Sequence, residues 1–190
     1  SAQLDPADRE RLARISEAAG RVLSFTRDLV AYSRPSTADP SAMSVHDVIE
    51  RALVFCEHVI GASNVTIVRA YGELPAIRGL HGPLTQVFVN LITNACQAME
   101  PAGGRLTIET SHDPDLATVS IRVVDEGHGI RADDVDRLFE PYFTTRDDGG
   151  GNGLGLNIVQ TIVASHGGSV AACPNEPRGA AFTVSLPAKR

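Results

Sequence analysis

The sequence contains no tryptophan, and aromatic residues make up only 5% of its 190 residues. Because 43% of the residues are nevertheless hydrophobic, the predicted core is mainly aliphatic. Cys56, Cys96 and Cys173 are too few and too far apart for a disulfide framework, and they are typical of reduced cytosolic thiols. The sequence has no apolar run of membrane-spanning length and no recognisable signal peptide. We expect a cytoplasmic domain, which an upstream segment could still anchor to a membrane.

Positive charge is also scarce. Lysine and arginine number 17 against 23 aspartates and glutamates, which gives a formal net charge of −6. This excess of negative charge argues against a nucleic-acid-binding surface. A phosphate site would have to be formed locally, by backbone amides and a few cations.

The first part of the chain, residues 1–34, is dominated by one predicted helix. Residues Pro6–Tyr32 have the apolar spacing of an amphipathic helix, with Asp5 as the N-cap. Residues 35–43 are predicted to be a linker, and residues 44–190 the main domain. The helix could pack on its own domain, or it could be half of a helical hairpin that dimerises. We favour the hairpin, because the linker separates this helix from the rest.

After the linker, helical and strand patterns alternate. Helices are predicted at residues 45–60, 82–99 and 153–166, and strands at 64–70, 105–110, 118–125, 169–173 and 181–186. The short polar turn before residue 118 predicts an antiparallel pair, and residues 130–151 are predicted to form a long loop with short helical turns. These elements predict an α+β fold. It is a two-layer α/β sandwich in which a mixed, mostly antiparallel sheet carries helices on one face, preceded by one long helix.

Two asparagines lie on the predicted helix 82–99. Asn90 and Asn94 are separated by one helical turn and therefore share a face. A carboxamide oxygen is a hard, neutral ligand that suits Mg²⁺, which prefers oxygen and keeps several waters when bound with phosphates. Taken alone, the pair is weak evidence, because two asparagines can equally cap or pair within a helix.

Asp125 ends an apolar strand and precedes a tight turn that contains Gly127 and Gly129. A carboxylate beside apolar walls needs a hydrogen-bond donor to keep its charge, and an adenine amino group is such a donor. The glycines would let the backbone turn closely against a flat ring. An ordinary turn that ends a strand explains these residues about as well.

A glycine-rich segment, Gly149–Leu156, leads into the last predicted helix. Backbone amides at a helix N-terminus favour a bound phosphate. The segment is not a Walker loop, which needs Gly-Lys-Ser/Thr, and it is not a Rossmann fingerprint, which follows a strand. A flexible linker is the alternative, but the apolar helix directly after the segment argues against it. Arg146, close by, is a candidate phosphate contact.

In combination and order, four segments resemble the motifs of the ATP-binding catalytic domain of bacterial sensor histidine kinases, in the superfamily shared with gyrase, Hsp90 and MutL. They are similar to its asparagine box (Gln86–Ala95), first glycine box (Asp125–Ile130), phenylalanine box (Leu138–Arg146) and second glycine box (Gly151–Leu156). The resemblance covers roughly Ser44–Pro187 and implies the Bergerat ATP-binding fold. The nitrogen-regulation class is the most similar. The helix before Pro35 resembles the second helix of the dimerisation and phosphotransfer domain.

The resemblance implies that ATP and Mg²⁺ are the cofactors. Asn94 would be the Mg²⁺ ligand, Asn90 would support the metal or the phosphates, and Asp125 would hold the adenine amino group. Asn90, Asn94 and Arg146 would be the catalytic residues.

Other implied ATP contacts fall into two groups. Gly127, Gly129 and Ile130 would shape the adenine pocket. The second group would lie in a lid over the phosphates, from Phe139 to Gly153, and at the helix end that faces the phosphates: Phe139, Tyr142, Thr144, Thr145, Arg146, Gly151, Asn152, Gly153, Leu154, Gly155 and Leu156.

Some positions depart from the family pattern. ATP-hydrolysing relatives carry Glu where Asn90 stands, and they use it to activate water. Because Asn90 cannot act as a base, phosphoryl transfer to a protein side chain is favoured over rapid hydrolysis. Asn152 and Ala180 stand where Thr is common, and the change at Ala180 affects one polar contact near adenine.

The acceptor histidine of the family is missing from the first predicted helix, since all six histidines fall in the catalytic region. We expect the acceptor helix to lie upstream of a truncated chain, which would bind nucleotide without phosphorylating itself. The implied partners are a response-regulator receiver domain and, with the full hairpin, a second copy joined through the N-terminal helix. The alternatives on this fold are a serine kinase of the anti-sigma type, an ATPase clamp and a non-catalytic nucleotide-binding scaffold.

Overall fold

The computed structural model describes residues 39–144 and 153–188, together with Asp5 and Arg11. Apart from Asp5 and Arg11, the predicted N-terminal helix lies outside these residues, as do residues 35–38 of the predicted linker. Four of the predicted lid residues also lie outside them: Thr145, Arg146, Gly151 and Asn152.

Seven strands are formed by the described residues. They are β1 (Ser41–Met43), β2 (Val65–Tyr71), β3 (Ile77–Gly79), β4 (Gly104–Asp113), β5 (Thr118–Asp125), β6 (Ser169–Pro174) and β7 (Ala180–Pro187). Five of them form one sheet in the order β2-β4-β5-β7-β6. β2 and β4 are parallel, and every other neighbouring pair is antiparallel. The prediction of a mixed, mostly antiparallel sheet is therefore confirmed.

The helices form the second layer. They are α1 (Val45–Phe55), α2 (Glu57–Ala62), α3 (His81–Met99) and α4 (Gly155–Ser165), with a short 3₁₀ helix at Ala132–Arg137 in the region predicted as a loop. α3 packs against α1, α4 and the central strands. Alternate residues of β5 are buried, as expected for a sheet covered by helices on one face.

The core between the layers is aliphatic, as its composition predicts. α3 contributes a stripe of buried side chains at helical spacing, which meets the inward-facing residues of the strands. These residues are Leu84, Val87, Phe88, Leu91, Ile92, Ala95, Cys96 and Met99 of α3, and Leu106, Ile108, Val119, Ile121, Val123, Val184 and Leu186 of the sheet. The buried stripe fixes the rotation of α3 and so determines which of its polar side chains face away from the sheet.

One predicted helix is two helices in the structure. The helix predicted at residues 45–60 ends at Phe55, and α2 begins at Glu57. Cys56, between them, has φ −94° and ψ 1°, and its amide donates to both Ala52 and Leu53. This turn lets the buried Cys56 side chain lie 3.8 Å from Thr93 Oγ1 of α3. Cys56, Cys96 and Cys173 are not joined by disulfides.

A small second sheet was not predicted. β1 and β3 pair antiparallel over three residues each, and the Arg78 side chain donates to the Pro40 carbonyl at 2.9 Å. Residues 41–43, which were predicted to belong to the linker, are therefore paired with β3 of the folded domain. Strands this short show no alternation that a sequence pattern could reveal. The other elements predicted after the linker are present, and their ends differ by a few residues at most. Within the described ranges, no helix is both long and apolar enough to cross a membrane.

Candidate functional site

The Asp125 carboxylate is buried at the end of β5, with 2% of the residue exposed. Its Oδ1 accepts hydrogen bonds from the amides of Gly127, at 2.8 Å, and Ala180, at 3.2 Å. Burial raises the pKa of this carboxyl, and the two amide bonds offset part of the rise. Oδ2 has no donor among the described residues, and these residues contain no fully buried side-chain oxygen without a partner. Oδ2 is therefore open to solvent, as an acceptor for a ligand.

The turn after Asp125 packs directly on the C-terminal part of α3. The His128 amide donates to the Ala98 carbonyl at 3.1 Å. A Cβ at Gly127 would lie 2.7 Å from the same carbonyl oxygen, so any larger residue would push the turn away from α3. Gly129 and Ile130 follow, and Ile130 packs against the core at a half-buried position. This contact places the turn after Asp125 beside α3.

The two asparagines of α3 have different surroundings. Asn90 is 8% exposed, and its carboxamide is bonded at both ends. Gln86 Nε2 donates to Asn90 Oδ1 at 2.7 Å, and Asn90 Nδ2 donates to the Gly155 carbonyl at 3.0 Å. Asn94 is half-buried, and its side chain has no hydrogen bond to another described residue. Of the two, Asn94 has the carboxamide oxygen that is available to a metal ion.

α3 therefore spans the site along its length. Ala98 contacts the turn after Asp125, Asn90 contacts the start of α4, and Asn94 lies between them. At 1.5 Å per residue, the distance from Asn90 to Ala98 is about 12 Å. A ligand with its base at Asp125 and its phosphates at α4 would thus pass Asn94 on its way.

The N-terminus of α4 is the second polar feature of the site. α4 begins at Gly155, and the N-cap residue Leu154 supplies no side-chain capping bond. The first amides of an α-helix have no partner within the helix, and the helix dipole favours negative charge there. Leu156 packs against the core and so fixes the first turn of α4. These amides can receive a phosphate group.

Two hydrogen bonds join the described part of the phenylalanine box to α4 and to Gly153 just before it. Asn157 Nδ2 donates to the Phe139 carbonyl at 3.1 Å, and the Tyr142 amide donates to the Gly153 carbonyl at 2.9 Å. Phe139 packs against the core, whereas Tyr142 is 75% exposed with φ +66°, and Thr144 is exposed. The described residues of the expected lid are thus close to the start of α4.

A depression of about 420 Å³ is lined by the phenylalanine-box region. Its lining consists of Arg137, Glu140, Pro141, Tyr142, Phe143 and Thr144. Arg137 lies over the Phe143 ring, with its guanidinium carbon 4.7 Å from the ring centre. Because neither Asp125 nor the two asparagines line this depression, we place the candidate site along α3 instead.

Sequence reasoning missed several residues that shape the site. Gln86 and Asn157 lie one helical turn or less from named residues, so helical spacing could have identified them. Asn175 and Arg178 reach the end of β5 from the loop before β7, and no local pattern marks them.

Comparisons with known proteins agree with this geometry. Residues 79–190 match the family described as histidine kinase-, DNA gyrase B- and HSP90-like ATPase. The chain is 34% identical to the sensor histidine kinase ZraS of Escherichia coli over 177 residues, 93% of this chain and 36% of that protein. It is 30% identical to the sensory histidine kinase/phosphatase NtrB of Azospirillum brasilense, over 91% of this chain and 46% of that protein. The chain thus spans less than half the length of these relatives.

A solved structure is also similar. Full-length ShkA in complex with AMPPNP is 26% identical and superposes with a TM-score of 0.73, over 98% of this chain and 40% of that one. AMPPNP is an analogue of ATP, so that protein was solved with a bound nucleotide analogue. The predicted fold class and the resemblance to the ATP-binding catalytic domain of histidine kinases are both confirmed, and a nitrogen-regulation relative is among the matches.

Proposed function

Because the chain belongs to the histidine kinase-, DNA gyrase B- and HSP90-like ATPase family, we propose that it binds Mg²⁺–ATP as the catalytic region of a two-component sensor histidine kinase. The γ-phosphoryl group passes to a histidine outside this chain and then to an aspartate of a response-regulator receiver domain. In the full protein, two copies associate through the N-terminal helices, and the catalytic region lies in the cytoplasm with its substrate ATP.

One observation carries the proposal: the buried carboxylate of Asp125, with one oxygen held by the protein and the other open. The adenine amino group donates to Oδ2. The guanine of GTP has a carbonyl oxygen at that position, which would face the carboxylate without a donor between them. A site built to hydrogen-bond a donor rejects a ligand that lacks it, because its buried acceptor is then left unpaired.

The donor set also fits a magnesium ion that is shared with the nucleotide. The described residues contain no group of three or more His, Cys, Asp or Glu side chains that could hold a metal by themselves. Asn94 offers one neutral oxygen, and Mg²⁺ is commonly held by few protein ligands together with phosphates and water. Bound there, the ion would neutralise phosphate charge during transfer. Asn94 orients the ion, and the amides of the first turn of α4 orient the phosphates.

Asn90 favours transfer to a protein over hydrolysis. It is neutral, and both ends of its carboxamide are engaged by Gln86 and Gly155. A group that activates water must accept a proton, which Asn90 cannot do. This feature argues against an ATPase clamp on the same fold. In the described structure, no observation favours the anti-sigma kinase or a non-catalytic scaffold.

Titration calorimetry with ATP, in the presence and absence of Mg²⁺, tests the nucleotide and metal roles together. The unmodified chain should bind ATP more tightly when Mg²⁺ is present. Asn94→Ala should bind ATP with the same affinity in both conditions, because the metal loses its protein ligand. Gln97→Ala, a half-buried neighbour on α3, is the matched control and should keep the metal dependence. Undiminished metal dependence in Asn94→Ala would show that the ligand assignment is wrong.

Incubation with ATP labelled at the γ-phosphate tests the transfer. The chain alone should bind nucleotide without becoming labelled, since the acceptor histidine is supplied from elsewhere. Acid-labile label on any of its own six histidines would contradict this assignment.

A further inference from the structure

The loop between β6 and β7 lies against the end of β5 that carries Asp125. The Asn175 amide donates to the Gly179 carbonyl at 2.9 Å, which closes the loop. Asn175 Nδ2 donates to the carbonyls of Arg178 and Asp125, both at 3.3 Å. One side chain therefore holds the loop in shape and also ties it to the residue that would recognise adenine.

Arg178 makes a second connection from the same loop. Its Nε donates to the Glu126 carbonyl at 2.7 Å. Between the two connections, Gly179 has φ +107°, and a Cβ there would overlap the Asp125 carbonyl. The loop backbone thus packs closely against the end of β5 at Gly179. Side-chain hydrogen bonds from Asn175 and Arg178 flank this contact.

This contact determines where the Ala180 amide points. Ala180 is the first residue of β7, directly after the loop, and its amide is one of the two donors to Asp125 Oδ1. The other donor, Gly127, belongs to the same turn as Asp125. Of the two hydrogen bonds to Oδ1 from described residues, the one from Ala180 therefore comes from outside the turn of Asp125. This bond holds Oδ1 toward the protein and leaves Oδ2 for the ligand. We infer that Arg178 and Asn175 are positioning residues that orient the Asp125 carboxylate toward the adenine amino group, an inference that rests on the proposed function.

A second arginine near the same strand end provides a contrast. Arg105 forms an ion pair with the Glu126 side chain at 2.7 Å, and both partners are substantially exposed. Arg178 bonds to the backbone of the same residue. Removal of Arg105 should leave the position of the β6–β7 loop unchanged, so Arg105→Ala is the matched control for Arg178→Ala.

The test compares ATP with inosine triphosphate, which carries a carbonyl oxygen in place of the adenine amino group. Binding of each nucleotide to the whole chain is measured by titration calorimetry, and folding is checked by thermal unfolding. Arg178→Ala should weaken ATP binding about threefold to tenfold and leave inosine triphosphate binding nearly unchanged, so the preference for ATP falls. Asn175→Ala should act in the same direction. Arg105→Ala should change neither affinity.

The double variant Asp125→Asn with Arg178→Ala distinguishes two effects of removing Arg178. One is a change in the orientation of the Asp125 carboxylate, and the other is a general loss of order in the β6–β7 loop. If Arg178 acts through the carboxylate, its removal should cause no further loss of ATP affinity once Asp125 is replaced. The inference is overturned if Arg178→Ala weakens both nucleotides equally, if Arg105→Ala has the same effect, or if the effect persists in the Asp125→Asn background. If the unmodified chain does not prefer ATP, or if Asp125→Asn keeps the preference, the adenine role of Asp125 itself fails, and the inference fails with it.

Discussion

The end of the candidate site proposed for adenine is buried and bonded on several sides, whereas the described part of the phenylalanine box, at the end proposed for phosphate, is largely exposed. At the adenine end, the Asp125 carboxylate and the carbonyls of Asp125 and Glu126 all receive hydrogen bonds, from the turn after β5 and from the β6–β7 loop. At the phosphate end, the described part of the phenylalanine box is tied to α4 through Asn157 and Gly153.

Under the proposed function, this difference would suit the two halves of ATP. The adenine ring would be recognised through one fixed donor, so a rigid acceptor would gain selectivity. The triphosphate would have to enter, donate a group and leave as diphosphate, so the residues near it would need to move at low cost. The comparison predicts that changes at the adenine end weaken adenosine and ATP alike, and that changes at the phosphate end weaken ATP alone.

Replacement of Asp125 should have the largest effect. In Asp125→Asn, the carboxamide oxygen can keep the bonds from Gly127 and Ala180, which places the amide nitrogen opposite the adenine amino group. Two donors then face each other, so we expect ATP and adenosine affinity to fall by the same factor, about 10–100-fold. Calorimetry with both ligands measures this. A loss confined to ATP would break the proposed division of the site.

The same variant should be no less stable than the unmodified chain near neutral pH. Burial raises the pKa of Asp125, so its contribution to the free energy of unfolding is favourable in acid and is lost as pH rises through the folded-state pKa. The carboxamide that replaces it carries no such charge. Chemical denaturation at neutral pH measures the free energy of unfolding of both chains. An equal or higher value in Asp125→Asn would show that Asp125 lowers stability in exchange for ligand recognition. A much lower value would argue that Asp125 is mainly structural.

Acidification should weaken adenosine binding, again at the adenine end. Because the pKa of Asp125 is raised, its carboxylate becomes protonated at a higher pH than that of an ordinary aspartate, whose pKa is about 3.9. Below that raised pKa the open oxygen loses its charge, and affinity should fall by up to about tenfold per pH unit. Adenosine titrations across acidic pH measure the slope, and its absence in Asp125→Asn is the control. A slope that survives in the variant would assign the titration to another group.

Local patterns were sufficient for much of the fold. The alternation in β5 and the helical stripe of α3 are direct consequences of burial on one face, so both elements were predicted from the sequence. Asp125 and the two asparagines were singled out because each stands at a regular place on such an element. The β1–β3 pair and the break at Cys56 escaped prediction, since three-residue strands and a single turn have no periodicity.

Contacts between distant parts of the chain could not be predicted. Asn90 bonds to Gly155, 65 positions away, and Arg178 bonds to Glu126, 52 positions away. These bonds depend on how layers and loops meet in space. The sequence identified Asn90 as a residue near metal or phosphate, and the geometry adds that it joins α3 to the start of α4. Its predicted support of the metal or the phosphates stays a prediction.

Removal of Asn90 tests that connection. Asn90→Ala leaves α3 and α4 without their shared hydrogen bond in a buried position, so the free energy of unfolding should fall by about 1–3 kcal/mol. ATP affinity should fall about threefold to tenfold while adenosine affinity changes little, because the phosphate-facing end of α4 is displaced. Gln86→Ala removes only the other partner of Asn90 and is the control. Equal losses in the two variants would contradict a specific role for the bond to Gly155.

Asn157→Ala should have the smallest effect, and it tests the phosphate end directly. The change removes the bond from Asn157 to the Phe139 carbonyl, at a half-buried site where the carbonyl can turn to water. ATP affinity should therefore fall only about twofold to threefold, with adenosine affinity unchanged. Gln160→Ala, exposed on the same helix, should leave both affinities unchanged. A parallel loss of adenosine and ATP binding would mean that the phenylalanine box and Asp125 are mechanically linked, and the two ends would then have to be treated as one rigid unit.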